Sequence, residues 1–227
     1  MGQIIALGGG GFSMEPDNPL LDSYILHQSG KTNPKICFLP TASGDSDSYI
    51  ARYYDFFENL ACQPSHLSLF NPPTRDLESF LLDKDILYVG GGNTKNLLAL
   101  WREWSLDKIL RKAWKQGIIL AGISAGSICW FEEGLTDSYG SGLEPLSCLG
   151  FLSGSHCPHY DGEADRRPTY QKLVTSKQIK PGIAADDGVA LHYVGQDLKR
   201  IVSSRPSAKA YRVSLDGETE LETEFLG

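Results

Sequence analysis

The sequence predicts an α/β fold, a three-layer α/β/α sandwich around a mostly parallel sheet with a β-rich C-terminal extension. Three observations predict it. Over the first two-thirds of the 227 residues, short apolar runs alternate with segments whose apolar residues recur at helical spacing. Turns rich in glycine and small residues follow several of those runs, as the strand-to-helix loops of a parallel sheet do. Beyond about residue 150 the pattern shortens to strand-like pieces.

Taken in order, Ile4–Leu7, Ile36–Leu39, Leu67–Phe70, Ile86–Val89 and Ile118–Ala121 read as strands. Asn18-Pro19 opens a helix with Leu21, Tyr24 and Ile25 on one face, because Asn caps a helix and Pro suits its first turn. Asp45 opens another, whose buried face is Ile50, Tyr53, Phe57 and Leu60 at spacings of three and four. Asn93–Trp104 and Ser105–Gly117 give two more, the second running from a Ser cap to a Gly stop. Gly182–Ala185, Val189–Val194, Ile201–Ser203, Tyr211–Leu215 and Thr219–Phe225 then read as an antiparallel edge or flap. No linker or internal repeat divides the chain. Residues 1–227 are therefore expected to form one domain, with a parallel α/β portion to about residue 150 and a β-rich remainder from 151 to 227.

Composition narrows the function. Hydrophobic residues at 41% and charged residues at 22% are globular values, and no apolar run reaches the roughly 18–20 residues of a membrane span. The first residues show no secretion signal. A net charge of −7 offers no footprint for nucleic acid. Five cysteines without CxxC spacing argue against a zinc site and a disulfide framework, and suit a reducing cytoplasm. The expected setting is cytoplasmic, without membrane, nucleic acid, metal or organic cofactor. The oligomeric state stays open, a homodimer included.

The strongest motif is Gly122-Ile123-Ser124-Ala125-Gly126, between an apolar strand and a helix. A sharp strand-to-helix turn of this kind exposes its central side chain and needs small flanking residues, which marks Ser124 as a nucleophile. A serine hydroxyl needs a base that a third group orients. Of five histidines, His27, His66 and His192 lie in helical or strand patterns, and His156 and His159 lie where a sheet-top loop begins. His159 is favoured because Pro158 fixes the backbone before it. Ala185-Asp186-Asp187-Gly188 supplies two candidate acids, and paired acids before Gly are also ordinary turn chemistry. The N–H of Ala125 and that of Gly91 or Gly92 are placed to hold an oxyanion. Asn93 is suited to cap the next helix or to bond substrate. Gly8–Gly11 lacks the spacing of a dinucleotide fingerprint and the lysine of a P-loop, and reads as a close-packed turn lining the pocket.

The order Ser124, His159, acid differs from the Ser, acid, His order of α/β-hydrolases. A GGGN turn, G-x-SAG, a PH-aromatic segment and an acid before Gly, in that order, resemble the peptidase E group of serine peptidases, family S51, with its α-aspartyl dipeptidases and cyanophycinases. The resemblance runs to about Leu191. It implies a fold like class I glutamine amidotransferases and a triad of Ser124, His159 and Asp187, and the turn residues assign the oxyanion hole to Gly92 and Ala125. The residues themselves mark Gly91 and Asn93 as candidate substrate contacts, and the resemblance implies a carboxylate clamp at Arg166 or Arg167, the alternative being that the acids beside these arginines pair with them. The expected activity is hydrolysis of small peptides, Asp-X dipeptides included, through an acyl-enzyme. The alternatives are hydrolysis of other amide or isopeptide bonds, and a non-catalytic metabolite-binding module.

Overall fold

The structure, a computed structural model, describes residues 2–140 and 142–227. β1 (Gln3–Leu7) is followed by a one-turn helix α1 (Gly11–Met14) and by α2 (Leu20–His27). β2 (Lys35–Leu39) leads to α3 (Asp47–Phe57), and β3 (Gln63–His66) to α4 (Leu77–Leu82). β4 (Ile86–Val89) is followed by α5 (Thr94–Glu103) and α6 (Leu106–Lys115), and β5 (Ile119–Ile123) by the short α7 (Ala125–Ile128). Then come β6 (Phe131–Thr136), β7 (Glu144–Ser147), β8 (Leu152–Cys157), α8 (Arg166–Thr175), β9 (Gly182–Ala185), β10 (Val189–Val194), β11 (Asp197–Ser203), β12 (Ala210–Ser214), β13 (Gly217–Leu221) and β14 (Glu224–Phe225).

The expected fold class holds. An eight-stranded sheet in the order β14-β11-β10-β1-β5-β4-β2-β3 forms the middle layer. Its β1, β5, β4, β2 and β3 run parallel, and β10 closes on β1 antiparallel. Because side chains alternate along a strand, Ile4 and Ala6 pack on one face with Leu97, Trp101 and Leu110, and Ile5 and Leu7 on the other with Ile25, Tyr53 and Phe57. Phe12 anchors the second face, its ring centroid 5.4–5.7 Å from those of Phe38, Tyr49, Tyr53, Phe57 and Tyr88. The register pairs Leu7 with Ile123 and Val89 with Gly122, so β1, β5 and β4 end together and the turns after them meet. Among the described residues no helix is long and apolar enough to cross a membrane.

Three expectations need correction. The strand expected at Leu67–Phe70 lies at Gln63–His66, an edge strand of polar sequence paired on one side only. An edge strand needs no continuous apolar run, and Leu67 and Leu69 are buried from the loop beyond it. Asp45 does not open α3. It has a positive φ of 55°, and its Oδ2 accepts bonds from Ser68 Oγ and the N–H groups of Leu69 and Phe70, so it ties down that loop while the helix starts at Asp47. The β-rich remainder is not one antiparallel flap. β10, β11 and β14 extend the main sheet, while β9, β12 and β13 join β6, β7 and β8 in a second sheet of six strands. That second sheet is mixed, with β6–β8 and β8–β9 parallel, and it begins before residue 150. Helix α8 also lies inside the stretch expected to be strands, with Pro168 in its first turn.

One buried carboxyl group stands out. Asp22 on α2 is fully buried, and neither carboxylate oxygen has a well-formed hydrogen bond among the described residues. A Cβ on Gly11 would lie 3.3 Å from both oxygens and 3.0 Å from Tyr88 Oη. Burial pushes the Asp22 pKa up to about 7, opposed by the Phe12 N–H and the Tyr88 hydroxyl. The folded state thus holds a proton that the unfolded chain releases near pH 4. The Asp22 contribution to stability should fall as pH rises from about 4 to 7, by an amount on the order of 4 kcal/mol. Asp22→Asn should flatten this slope in thermal melts across that window, and parallel profiles for the two proteins would refute the assignment.

Candidate active site

The end of β1 is where the distant parts of the site meet. The carbonyl of Leu7 accepts the N–H of Ser124 at 3.2 Å, that of Gly8 the N–H of His159 at 3.0 Å, and that of Gly9 the N–H of Gly188 at 3.1 Å. Three consecutive carbonyls therefore fix the backbone of the serine, of the histidine and of the residue after Asp187. Side chains are excluded from this turn. A Cβ on Gly8 would lie 2.4 Å from the Asp186 carbonyl, and one on Gly9 would lie 1.9 Å from Asp187 Oδ1 and 3.0 Å from His159 Nδ1.

Ser124 sits between β5 and α7 with φ 55° and ψ −114°, a conformation that costs a non-glycine residue about 1–3 kcal/mol. Its carbonyl accepts from the N–H groups of Ser127 and Ile128, which starts the helix directly behind it. The flanking glycines are required by contact, since a Cβ on Gly122 would meet the Gly126 carbonyl at 2.2 Å and one on Gly126 the Val89 carbonyl at 2.2 Å. The Ser124 side chain is partly exposed at the tip of this elbow.

His159 and Asp187 are brought together, with Nδ1 to Oδ1 at 2.6 Å and side chains 13% and 11% exposed. A carboxylate on Nδ1 fixes the proton there and leaves Nε2 as the basic nitrogen. Asp187 is seated from two further sides: its N–H donates to Asp161 Oδ1 at 2.8 Å, and a Cβ on Gly162 would lie 2.5 Å from its Oδ2. Ser124 Oγ makes no hydrogen bond among the described residues, so the serine-to-histidine link is not closed in this structure. Asp186 turns away. Its Oδ2 accepts the Lys209 N–H at 2.9 Å, and burial pushes its pKa up to about 6. His156 is a core residue, stacked on Phe131 with centroids 4.8 Å apart, its Nδ1 2.8 Å from the Ile183 carbonyl, and burial drives its pKa down to about 4.

On the other side of Ser124 stands the turn after β4. A Cβ on Gly91 would lie 3.4 Å from Ser124 Cβ. The Gly91 N–H donates to the Tyr49 hydroxyl at 3.3 Å and is thereby occupied. The N–H groups of Gly92 and Ala125 have no acceptor among the described residues, and Gly92 holds φ 136°, where a Cβ would strike the Ala42 carbonyl at 2.3 Å. Asn93 is spent on structure: Oδ1 caps α5 through the Asn96 N–H, and Nδ2 donates to the Ser138 carbonyl.

The arginines expected to clamp a substrate carboxylate are engaged elsewhere. Arg166 is 3% exposed, with Nε and Nη2 on the Glu163 carboxylate and Nη1 on the Leu135 carbonyl. Arg167 pairs with Glu218 and lies over the rings of Tyr160 and Tyr211. Both fasten α8 to its surroundings.

The sequence profile of Peptidase family S51 matches residues 4–201. The chain belongs to peptidase family S51. As an S51 peptidase it is similar over its whole length, at 62% identity, to an uncharacterized peptidase of Bacillus subtilis strain 168, YgaJ, and covers all of that chain. Two solved structures share its fold. A peptidase from an acI-B1 Actinobacterium matches with a TM-score of 0.74 at 17% identity, over 98% of this chain and 95% of that one. A protein of Listeria monocytogenes EGD-e, described as a candidate peptidase E, matches with a TM-score of 0.64 at 20% identity, over 91% of this chain and all of the other.

Tyr49 and Asp161 escaped the sequence reading. Tyr49 is a helix-face aromatic by spacing, and only the fold brings its hydroxyl to Gly91, whereas Asp161-Gly162 carries the weak signal of an acidic turn beside His159. The contact at Gly9 makes a test of the whole arrangement in this S51 peptidase. Gly9→Ala should displace the Asp187 carboxylate from His159 and lower peptidase turnover on the order of 10²-fold with the circular dichroism spectrum retained. Unaltered turnover in a folded variant would show that the His159–Asp187 contact is dispensable.

Proposed function

We propose that this S51 peptidase is a serine-type enzyme that hydrolyses small peptides, Asp-X dipeptides among them, through an acyl-enzyme on Ser124. The observation that carries the reading is the 2.6 Å His159–Asp187 pair, held by the same β1 turn that holds the strained Ser124 elbow. Five free cysteines support a cytoplasmic setting.

Each group has one task in the reaction. His159 Nε2 takes the proton as Ser124 Oγ attacks the scissile carbonyl, and Asp187 holds Nδ1–H and stabilises the imidazolium that forms. The unoccupied N–H groups of Gly92 and Ala125 receive the oxyanion, a contact worth about 10²–10³-fold in rate per donor. His159 then protonates the departing amine, and water attacks the acyl-serine by the same route in reverse. With Arg166 on Glu163 and Arg167 on Glu218, this reading assigns neither arginine to a substrate carboxylate.

Ser124→Ala should abolish labelling by a fluorophosphonate probe and leave the melting temperature nearly unchanged. Persistent labelling would reject Ser124 as nucleophile. Asp187→Asn should lower turnover by about 10²–10⁴-fold, and Asp186→Asn much less; the reverse ranking would transfer the role to Asp186.

A further inference from the structure

Four consecutive backbone N–H groups follow β4, at Gly90, Gly91, Gly92 and Asn93. Gly90 donates to the Leu39 carbonyl at 3.1 Å and Asn93 to the Ala42 carbonyl at 2.8 Å, so β2 and the turn after it hold both ends of the segment. Gly91 donates to the Tyr49 hydroxyl at 3.3 Å, and Gly92 has no acceptor among the described residues. One side chain thus decides which of the two glycine N–H groups is left free. The segment adjoins the nucleophile directly, since a Cβ on Gly91 would lie 3.4 Å from Ser124 Cβ and 4.0 Å from its Oγ.

Tyr49 is fixed at both ends. It is 5% exposed on α3, and its ring fills the space beside Gly90, where a Cβ would lie 3.0 Å from Tyr49 Cε1. Phe12 and Phe38 pack against that ring at centroid distances of 5.6 and 5.0 Å, which sets the direction of the hydroxyl. The hydroxyl proton goes to Ser13 Oγ at 2.8 Å. A hydroxyl that donates to Ser13 presents a lone pair to Gly91 and can only accept there. Without that oxygen the Gly91 N–H would be left without a partner, and its peptide would have to turn to find one. Neither Gly91 nor Gly92 carries a side chain to resist the turn, so the Gly92 N–H would move with it.

We propose that Tyr49 is a positioning residue of the oxyanion site: by holding the Gly91 N–H it leaves that of Gly92 free and aims it at the oxyanion formed on Ser124. The inference rests on the reading of Ser124 as the nucleophile. Its test is inactivation of the full chain by a fluorophosphonate probe, in which Ser124 Oγ displaces fluoride and the phosphoryl oxygen takes the place of the oxyanion, with the limiting rate constant kinact and the binding constant KI measured separately. Tyr49→Phe keeps the ring and removes the oxygen. It should lower kinact about tenfold, short of the roughly 10²–10³-fold of a deleted donor, with KI held within about twofold. Tyr53→Phe is the control, because it deletes an equally buried hydroxyl one turn along α3, bonded to the Ile36 carbonyl at 3.2 Å, and should lower the melting temperature to a similar degree without changing kinact. Ser13→Ala leaves the tyrosine whole but frees its proton to turn toward Gly91, and should lower kinact by a smaller factor. Unchanged kinact in folded Tyr49→Phe, an equal loss in Tyr53→Phe, or a loss confined to KI would overturn the proposal. If Tyr49→Phe does not fold, unchanged kinact in Ser13→Ala overturns it. Labelling that persists in Ser124→Ala would overturn the nucleophile reading and the proposal with it, whereas a failure of Tyr49 alone leaves Ser124→Ala unlabelled.

Discussion

The three carbonyls at the end of β1 are the constraint on which the site depends. Each binds a backbone N–H from a different part of the chain, so the positions of Ser124, His159 and Gly188 are set against one rigid edge rather than against one another. This explains why the turn is glycine. At Gly8 and Gly9 the space a side chain would fill is already taken by the Asp186 carbonyl and the Asp187 carboxylate. The price is a backbone with little freedom, and the strained φ values of Ser124 and His159, 55° and 53°, persist because these bonds over-determine them.

The two-sheet architecture supplies what a single parallel sheet could not. Ser124 comes from the main sheet through β5, but His159 follows β8 of the second sheet, and Asp187 lies where the chain crosses from β9 in the second sheet to β10 in the first. The histidine–carboxylate pair thus stands at the joint between the sheets, and the extension completes the site. Helix α8 secures that joint, with Arg167 and Gln171 on Glu218 of β13 and Arg166 on Glu163 just before the helix. Charges that resemble a substrate clamp in the sequence serve here as fasteners.

How much was legible follows from the range of each signal. The inner parallel strands are buried on both faces, so β1, β2, β4 and β5 read as apolar runs, and Gly122–Gly126 carries the elbow signal because the turn itself, with Gly122 against the Gly126 carbonyl, is local in sequence. The polar edge strand β3 lacks that burial, and the apolar signal falls on the loop beyond it. The second sheet was illegible because its parallel pairings, β6 with β8 and β8 with β9, join segments whose partners only the fold selects. Spacing left Asp186 and Asp187 equivalent, and it is the bonds of Asp186 to Lys209 that turn one of the two toward His159. The partner of Arg167 was hidden for a similar reason, since Glu218 lies about fifty residues away in sequence, whereas the Glu163 that holds Arg166 stands only three residues before it.

We propose that this geometry makes the Ser124 hydroxyl a covalent nucleophile. The most direct measurement is rapid-quench mass spectrometry of the wild-type protein mixed with a slowly deacylating peptide ester, followed by peptide mapping. A transient mass increase equal to the acyl group is expected, confined to the fragment that contains Ser124. Turnover of the ester with no adduct at any time, or with the adduct on another residue, would contradict it.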